Sequence, residues 1–115
     1  MAKALPLPGR PVRGRPTGRP VLALLDLLGR RGTLRLLWEL RDGQPQGFRL
    51  LQASTGGISP SVLSERLRQL RDARIAQLGS DGYRLTPAGI DLMRRLQPLN
   101  RWAESWAHDD PSLIS

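Results

Sequence analysis

The chain has 115 residues, enough for one domain and not for two. It carries 18 basic residues against 10 acidic ones, a formal net charge of +8, and no cysteine. That balance points to a polyanionic partner, nucleic acid being the commonest, while the missing thiols exclude disulfides, thiolate metal sites and thiol redox sensing.

No uninterrupted apolar run is long enough to span a bilayer, and prolines break up the start of the chain where a signal peptide would need an apolar stretch. The expectation is a cytoplasmic, nucleoid-associated protein with no membrane partner.

Residues 1–19 repeat Gly-Arg-Pro and hold Lys3, Arg10, Arg13, Arg15 and Arg19 without an acid. Such a segment cannot bury enough apolar surface to offset its ordering entropy, so it reads as a disordered basic arm. Every basic residue but Lys3 is arginine, whose planar fork suits phosphates and guanine edges.

Pro20 opens a first helix, PVLALLDLL, which Gly29 ends. Its leucines cover most of its circumference, so it needs burial on two sides. In so small a protein the second side implies another subunit, with Leu22 and Leu25 as contacts. Thr33 reads as the N-cap of a second helix, LRLLWELRD, stopped by Gly43. Leu34, Leu37 and Trp38 are its expected inward residues. FRLLQAS then reads as a third helix, anchored by Phe48 and Leu51.

The stretch STGGISPSVLSERLRQLRDA is the most informative. Gly56 and Gly57 supply a turn, Ser59 caps a new helix, and Pro60 takes its first position, where no N–H is needed. Leu63, Leu67 and Leu70 form a buried stripe. Ser61, Glu65, Arg68 and Asp72 fall opposite, with Ser64 and Arg71 beside them. Arg66 flanks the stripe, to meet a phosphate or to pair with Asp72 or Glu65. Two helices joined by a glycine turn, the second leading with small polar residues, make a helix-turn-helix.

Asp81-Gly82 then joins two short strand-like runs into a hairpin, the wing, which carries Tyr83 and Arg84. Thr86 and Pro87 start a last helix. Leu92, Leu96, Leu99, Ala103 and Trp106 follow spacings of four and three, as in a coiled-coil seam, with Trp102 alongside. Pro98 is expected to kink or break this helix, and HDDPSLIS to fray. The fold class is therefore mainly α with a small β-hairpin wing (α+β). The arm spans 1–19, the winged helix-turn-helix domain 20–108, and a C-terminal tail 109–115.

GISPSVLSERLRQL, then YRLTPAG, then a tryptophan-bearing last helix resemble the HxlR family of bacterial winged helix-turn-helix regulators, over residues 18–107. The resemblance implies a homodimer paired through its first and last helices, here Leu22, Leu25, Leu99, Trp102 and Trp106. It also implies transcriptional control from operator DNA. Three features depart from the pattern. Arg19-Pro20-Val21 stands where the family usually has a cysteine, Gly32 replaces a tryptophan, and the wing from Leu78 to Tyr83 is nearly minimal. Val12-Arg13-Gly14-Arg15-Pro16 is similar to the core of an AT-hook, which lies along the minor groove of A·T-rich DNA. The plainer reading is an arm that grips phosphates of any sequence.

One histidine, no phosphate loop and no nucleophile elbow leave no catalytic constellation. His108-Asp109-Asp110 are adjacent, and adjacent residues rarely converge on one metal ion. No enzyme, cofactor or metal is expected, and no residue cluster marks an effector pocket. The expected partner is double-stranded DNA, read by Ser61, Ser64, Glu65 and Arg68, with Ser59, Arg66 and Arg71 on phosphates. The alternative is an interaction or scaffolding module that kept the winged fold and binds nucleic acid only through its arm. A weaker alternative is an RNA-binding winged helix.

Overall fold

The computed structural model describes residues 19–114. The expectations for Arg10, Arg13, Arg15 and the AT-hook-like stretch lie outside the described residues. The elements run α1 (Pro20–Leu28), α2 (Thr33–Glu39), α3 (Phe48–Ser54), α4 (Pro60–Asp72), β1 (Ala76–Gly79), β2 (Gly82–Leu85), α5 (Pro87–Asp109) and a final 3-10 turn (Pro111–Ile114). The mainly helical fold with a two-stranded hairpin is the one read from the sequence.

One leucine-rich core holds it together. Leu36, Leu37, Leu40, Leu51, Leu63 and Leu70 are fully buried, drawn from α2 and its C-cap, α3 and α4. Each such side chain contributes roughly 1.5–3 kcal/mol when taken out of water. Leu27 and Leu28 join from α1, Ile75 from just before the hairpin, Ala76 and Leu85 from its strands, and Met93 from α5.

Helix α2 departs from expectation in three ways. Gly32, in the left-handed region at φ 89°, is its N-cap, and Thr33 is the first helical residue, with its side chain 0% exposed and its Oγ1 unpartnered. The helix ends at Glu39, with the fully buried Leu40 as its C-cap. Its inward face is Thr33, Leu36, Leu37 and Leu40, at spacings of three, one and three. Leu34 and Trp38, four apart on the other side, are exposed. Trp38, expected in the core, instead lies under Arg41, whose guanidinium carbon sits 3.9 Å from the ring centroid. The Arg41 Nη1 also donates to the Trp38 carbonyl at 2.8 Å.

The hairpin pairs Ala76 with Leu85 through to Gly79 with Gly82, so Ser80 and Asp81 form the turn and Gly82 begins β2. The expected Asp81-Gly82 turn is one residue out. Gly82 is held by a different constraint. Gln46 makes a two-way backbone bridge to Tyr83, each N–H donating to the other's carbonyl at 2.8 Å. A Cβ on Gly82 would lie 2.6 Å from the Gln46 carbonyl group, so only glycine lets this strand fragment lie against the wing.

Thr86 caps α5 by accepting from the Gly89 N–H at 3.0 Å. The helix then runs 23 residues, about 35 Å, without a break at Pro98. Its first half is anchored by the buried Met93 and the half-buried Ile90, Leu92 and Leu96. Its second half exposes Leu99, Trp102 and Trp106. Among the described residues of the stretch expected to fray, Asp110 Oδ1 accepts from the N–H and hydroxyl of Ser112, and Pro111–Ile114 form the 3-10 turn.

Candidate nucleic-acid interface

The turn between α3 and α4 is built from local rules. Thr55 closes α3, its hydroxyl donating to the Leu51 carbonyl at 2.7 Å. Gly56 and Gly57 follow at φ 71° and 95°, two successive left-handed residues that reverse the chain. Ile58 then plugs the turn into the core, with a methyl 3.3 Å from where a Gly32 Cβ would stand. Ser59 Oγ accepts from the Val62 N–H at 3.2 Å, and Pro60 needs no acceptor. The start of α4 is thereby fixed by two residues acting through different means.

Helix α4 buries Leu63, Leu67 and Leu70, as its spacing dictates. Ser61, Ser64, Arg68 and Arg71 are exposed on the other side, and Glu65 is half-buried beside them. Arg68 is the centre of an ion-pair network. Its Nη2 and Nε donate to the two oxygens of Glu65 at 2.5 and 3.1 Å, and its Nη1 donates to Asp72 Oδ2 at 2.7 Å. The hydrogen bond from Arg68 holds the Glu65 carboxyl below its usual range, and the Glu65 bond in turn raises the guanidinium of Arg68. The spacings of three and four that make this network were visible in the sequence, but the arginine paired is Arg68 rather than Arg66.

Arg66 has another task. Its Nε donates to the Arg31 carbonyl at 2.8 Å and its Nη1 to Gln69 Oε1 at 3.4 Å. It thus latches α4 to the turn between α1 and α2, a contact 35 residues apart that no local pattern announces.

Tyr83 and Arg84 lie half-buried on β2, opposite Leu78 and Gln77. Arg19 is the N-cap of α1 and is exposed. The residues assigned to a subunit contact form two exposed apolar faces. Leu22 is 48% and Leu99 56% exposed, with Leu25, Trp102 and Trp106 exposed as well. The rings of Trp102 and Trp106 stack with centroids 5.9 Å apart. No helix among the described residues is long and apolar enough to cross a membrane.

The comparisons with known proteins agree with this geometry. The HxlR-like helix-turn-helix family matches residues 27–111. The chain is 31% identical over 97 residues to the HTH-type transcriptional regulator YvaP of Bacillus subtilis, covering 78% of this chain and 87% of that one. It is similar in structure to quinone-bound YodB of B. subtilis, with a TM-score of 0.69, 29% identity, and coverage of 74% of this chain and 96% of YodB. A possible HxlR-family transcriptional factor from Thermoplasma volcanium gives a TM-score of 0.65 at 28% identity, covering 79% of this chain and 87% of that one. By their descriptions these relatives are regulators of transcription, of the helix-turn-helix type for YvaP. The chain belongs to the HxlR family of helix-turn-helix transcriptional regulators.

Proposed function

We propose that this regulator is a homodimer that binds a specific operator and reads it with α4. The observation that carries the reading is the division of α4 itself. Three leucines fix one face in the core while Ser61, Ser64, Glu65 and Arg68 stand on the other. The short side chains come first, so the leading end can sit deep in a major groove.

Arg68 must exchange Glu65 and Asp72 for a base to read guanine. The magnitudes permit that exchange. The two exposed ion pairs contribute roughly 0–1 kcal/mol each, within the range of about 1–3 kcal/mol by which a bidentate arginine–guanine contact discriminates. Glu65, freed, can accept from a cytosine amino group. Ser59 at the helix N-terminus, Arg71 and the remaining donors of Arg66 meet phosphates. Tyr83 and Arg84 approach the backbone from the wing. The arm of residues 1–19, with Arg10, Arg13, Arg15 and Arg19, adds salt-sensitive affinity ahead of the domain at 20–108 and the tail at 109–115.

The dimer rests on the exposed apolar faces of α1 and α5, which a single chain leaves in water. The quinone named in the YodB structure raises a small-molecule effector for this chain too. With no cysteine present, such an effector acts here without a bond to a thiol.

The test is a duplex panel read by binding to Arg68→Ala and Arg71→Ala. Arg68→Ala lowers affinity for the preferred duplex by about 1–3 kcal/mol and relaxes specificity, while Arg71→Ala weakens all duplexes evenly. Equal scaling of every sequence by both changes would show that α4 does not read bases.

A further inference from the structure

A cleft of about 430 Å³ opens where the turn after α2 meets the middle of α5. Its apolar lining is Ile90, Met93 and Pro98; its polar lining is led by Arg41, Arg94 and Arg101, with no acidic residue. Arg94 and Arg101 lie seven apart, two turns along one face of α5, and Arg41 joins them from 53 positions earlier, in the turn that follows α2.

The charges in this cleft are poorly neutralised. Arg41 rests on Trp38 and donates to a carbonyl, neither of which cancels its charge. Arg94 reaches Asp91 only at 3.4 Å, and Arg95 shares that carboxylate at 3.0 Å. Arg101 makes no ion pair among the described residues. Three guanidiniums around one concavity repel each other and concentrate positive potential inside it. An anion relieves that repulsion, and arginine forks are suited to a carboxylate.

The floor selects further. Met93 is nearly fully buried and Ile90 is half-buried, so the base of the cleft is hydrocarbon and thioether. A phosphate of a nucleic acid gains nothing from such a floor. We infer that this cleft is a binding site for a small amphiphilic anion, a carboxylate on a compact aromatic or branched body. The site is independent of operator reading and needs no covalent chemistry. It lies between the packed lobe and the helix that projects from it, at the place where a bound molecule would touch both.

The sequence supplies its own reporter, since Met93 and Met1 are the two methionines. Full-length protein labelled with 13C at the methionine methyls would be titrated with naphthalene-2-carboxylate and with the neutral 2-naphthalenemethanol. A saturable ring-current shift of the Met93 methyl, with the Met1 methyl unmoved, is expected. The alcohol should bind about tenfold more weakly or worse. Joint Arg94→Gln and Arg101→Gln should weaken the carboxylate by about tenfold, and joint Arg94→Lys and Arg101→Lys by less than about threefold. Both pairs are surface changes, and circular dichroism checks that the fold is kept. A silent Met93 methyl would overturn the inference, including the case in which a second copy fills the cleft. So would equal binding of the alcohol, or a double glutamine variant that binds like the parent.

Discussion

Thr86 Oγ1 donates to the carbonyl of Arg74 at 2.7 Å, tying the head of α5 to the one non-glycine residue in the left-handed region among the described residues. Arg74 has φ 61° because it closes α4 in a Schellman arrangement. Its N–H donates to the Arg71 carbonyl and that of Ile75 to Leu70, both at 2.9 Å. Glycine is the residue that adopts this conformation without strain. Arg74→Gly should therefore raise stability by about 1 kcal/mol. Thermal melting of the two proteins checks this, and a lower midpoint for the glycine variant would contradict it.

Thr33 separates two accounts of α2. As an N-cap its hydroxyl would be worth about 1 kcal/mol. The structure instead buries that hydroxyl with no partner, next to the true cap Gly32. Thr33→Val keeps the shape and removes the unmet polar group, so it should stabilise by about 1 kcal/mol. Urea unfolding that shows a loss of similar size would restore the capping account.

The ion pair on α4 has a sign that pH reveals. The hydrogen bond from Arg68 lowers the Glu65 carboxyl. A carboxyl depressed by folding adds stability that is present above its unfolded value and lost as pH falls through the folded one. Carbon-detected titration should place the Glu65 inflection below the ordinary glutamate range. In Arg68→Ala it should move back up. An inflection that stays put would show that Arg68 does not hold Glu65 in solution.

Paired faces on α1 and α5 predict a dimer that a surface change can break. The parent should elute at twice the 12.8 kDa chain mass in light scattering. Leu99→Ser with Trp102→Ser should yield a folded monomer, because neither side chain is buried within one chain. A parent that is already monomeric would remove the dimer from the account.

Much of this was legible in the sequence because it is encoded locally. Ser59-Pro60, Thr86-Pro87 and Gly56-Gly57 each announce a helix start or a turn within two or three residues, and each stands where expected. The stripe of Leu63, Leu67 and Leu70 is equally local. What was hidden depends on distant partners. The face of α2 was misread because leucines at 34, 36 and 37 fit two stripes, and only packing against the rest of the core chooses. The Gln46 bridge to Tyr83 and the Arg66 latch to Arg31 each join residues more than 30 positions apart. The cleft joined by Arg41 and Arg101 was invisible for the same reason.

The central claim is that α4 reads sequence, and fluorescence anisotropy across a salt series tests it most directly. The full-length protein would be titrated onto the duplex upstream of its own gene and onto a shuffled duplex of equal length. The account predicts tight binding to the upstream duplex that persists near physiological salt while the shuffled duplex is released. Equal binding to both, vanishing together as salt rises, would contradict it and leave only phosphate contacts by the arm.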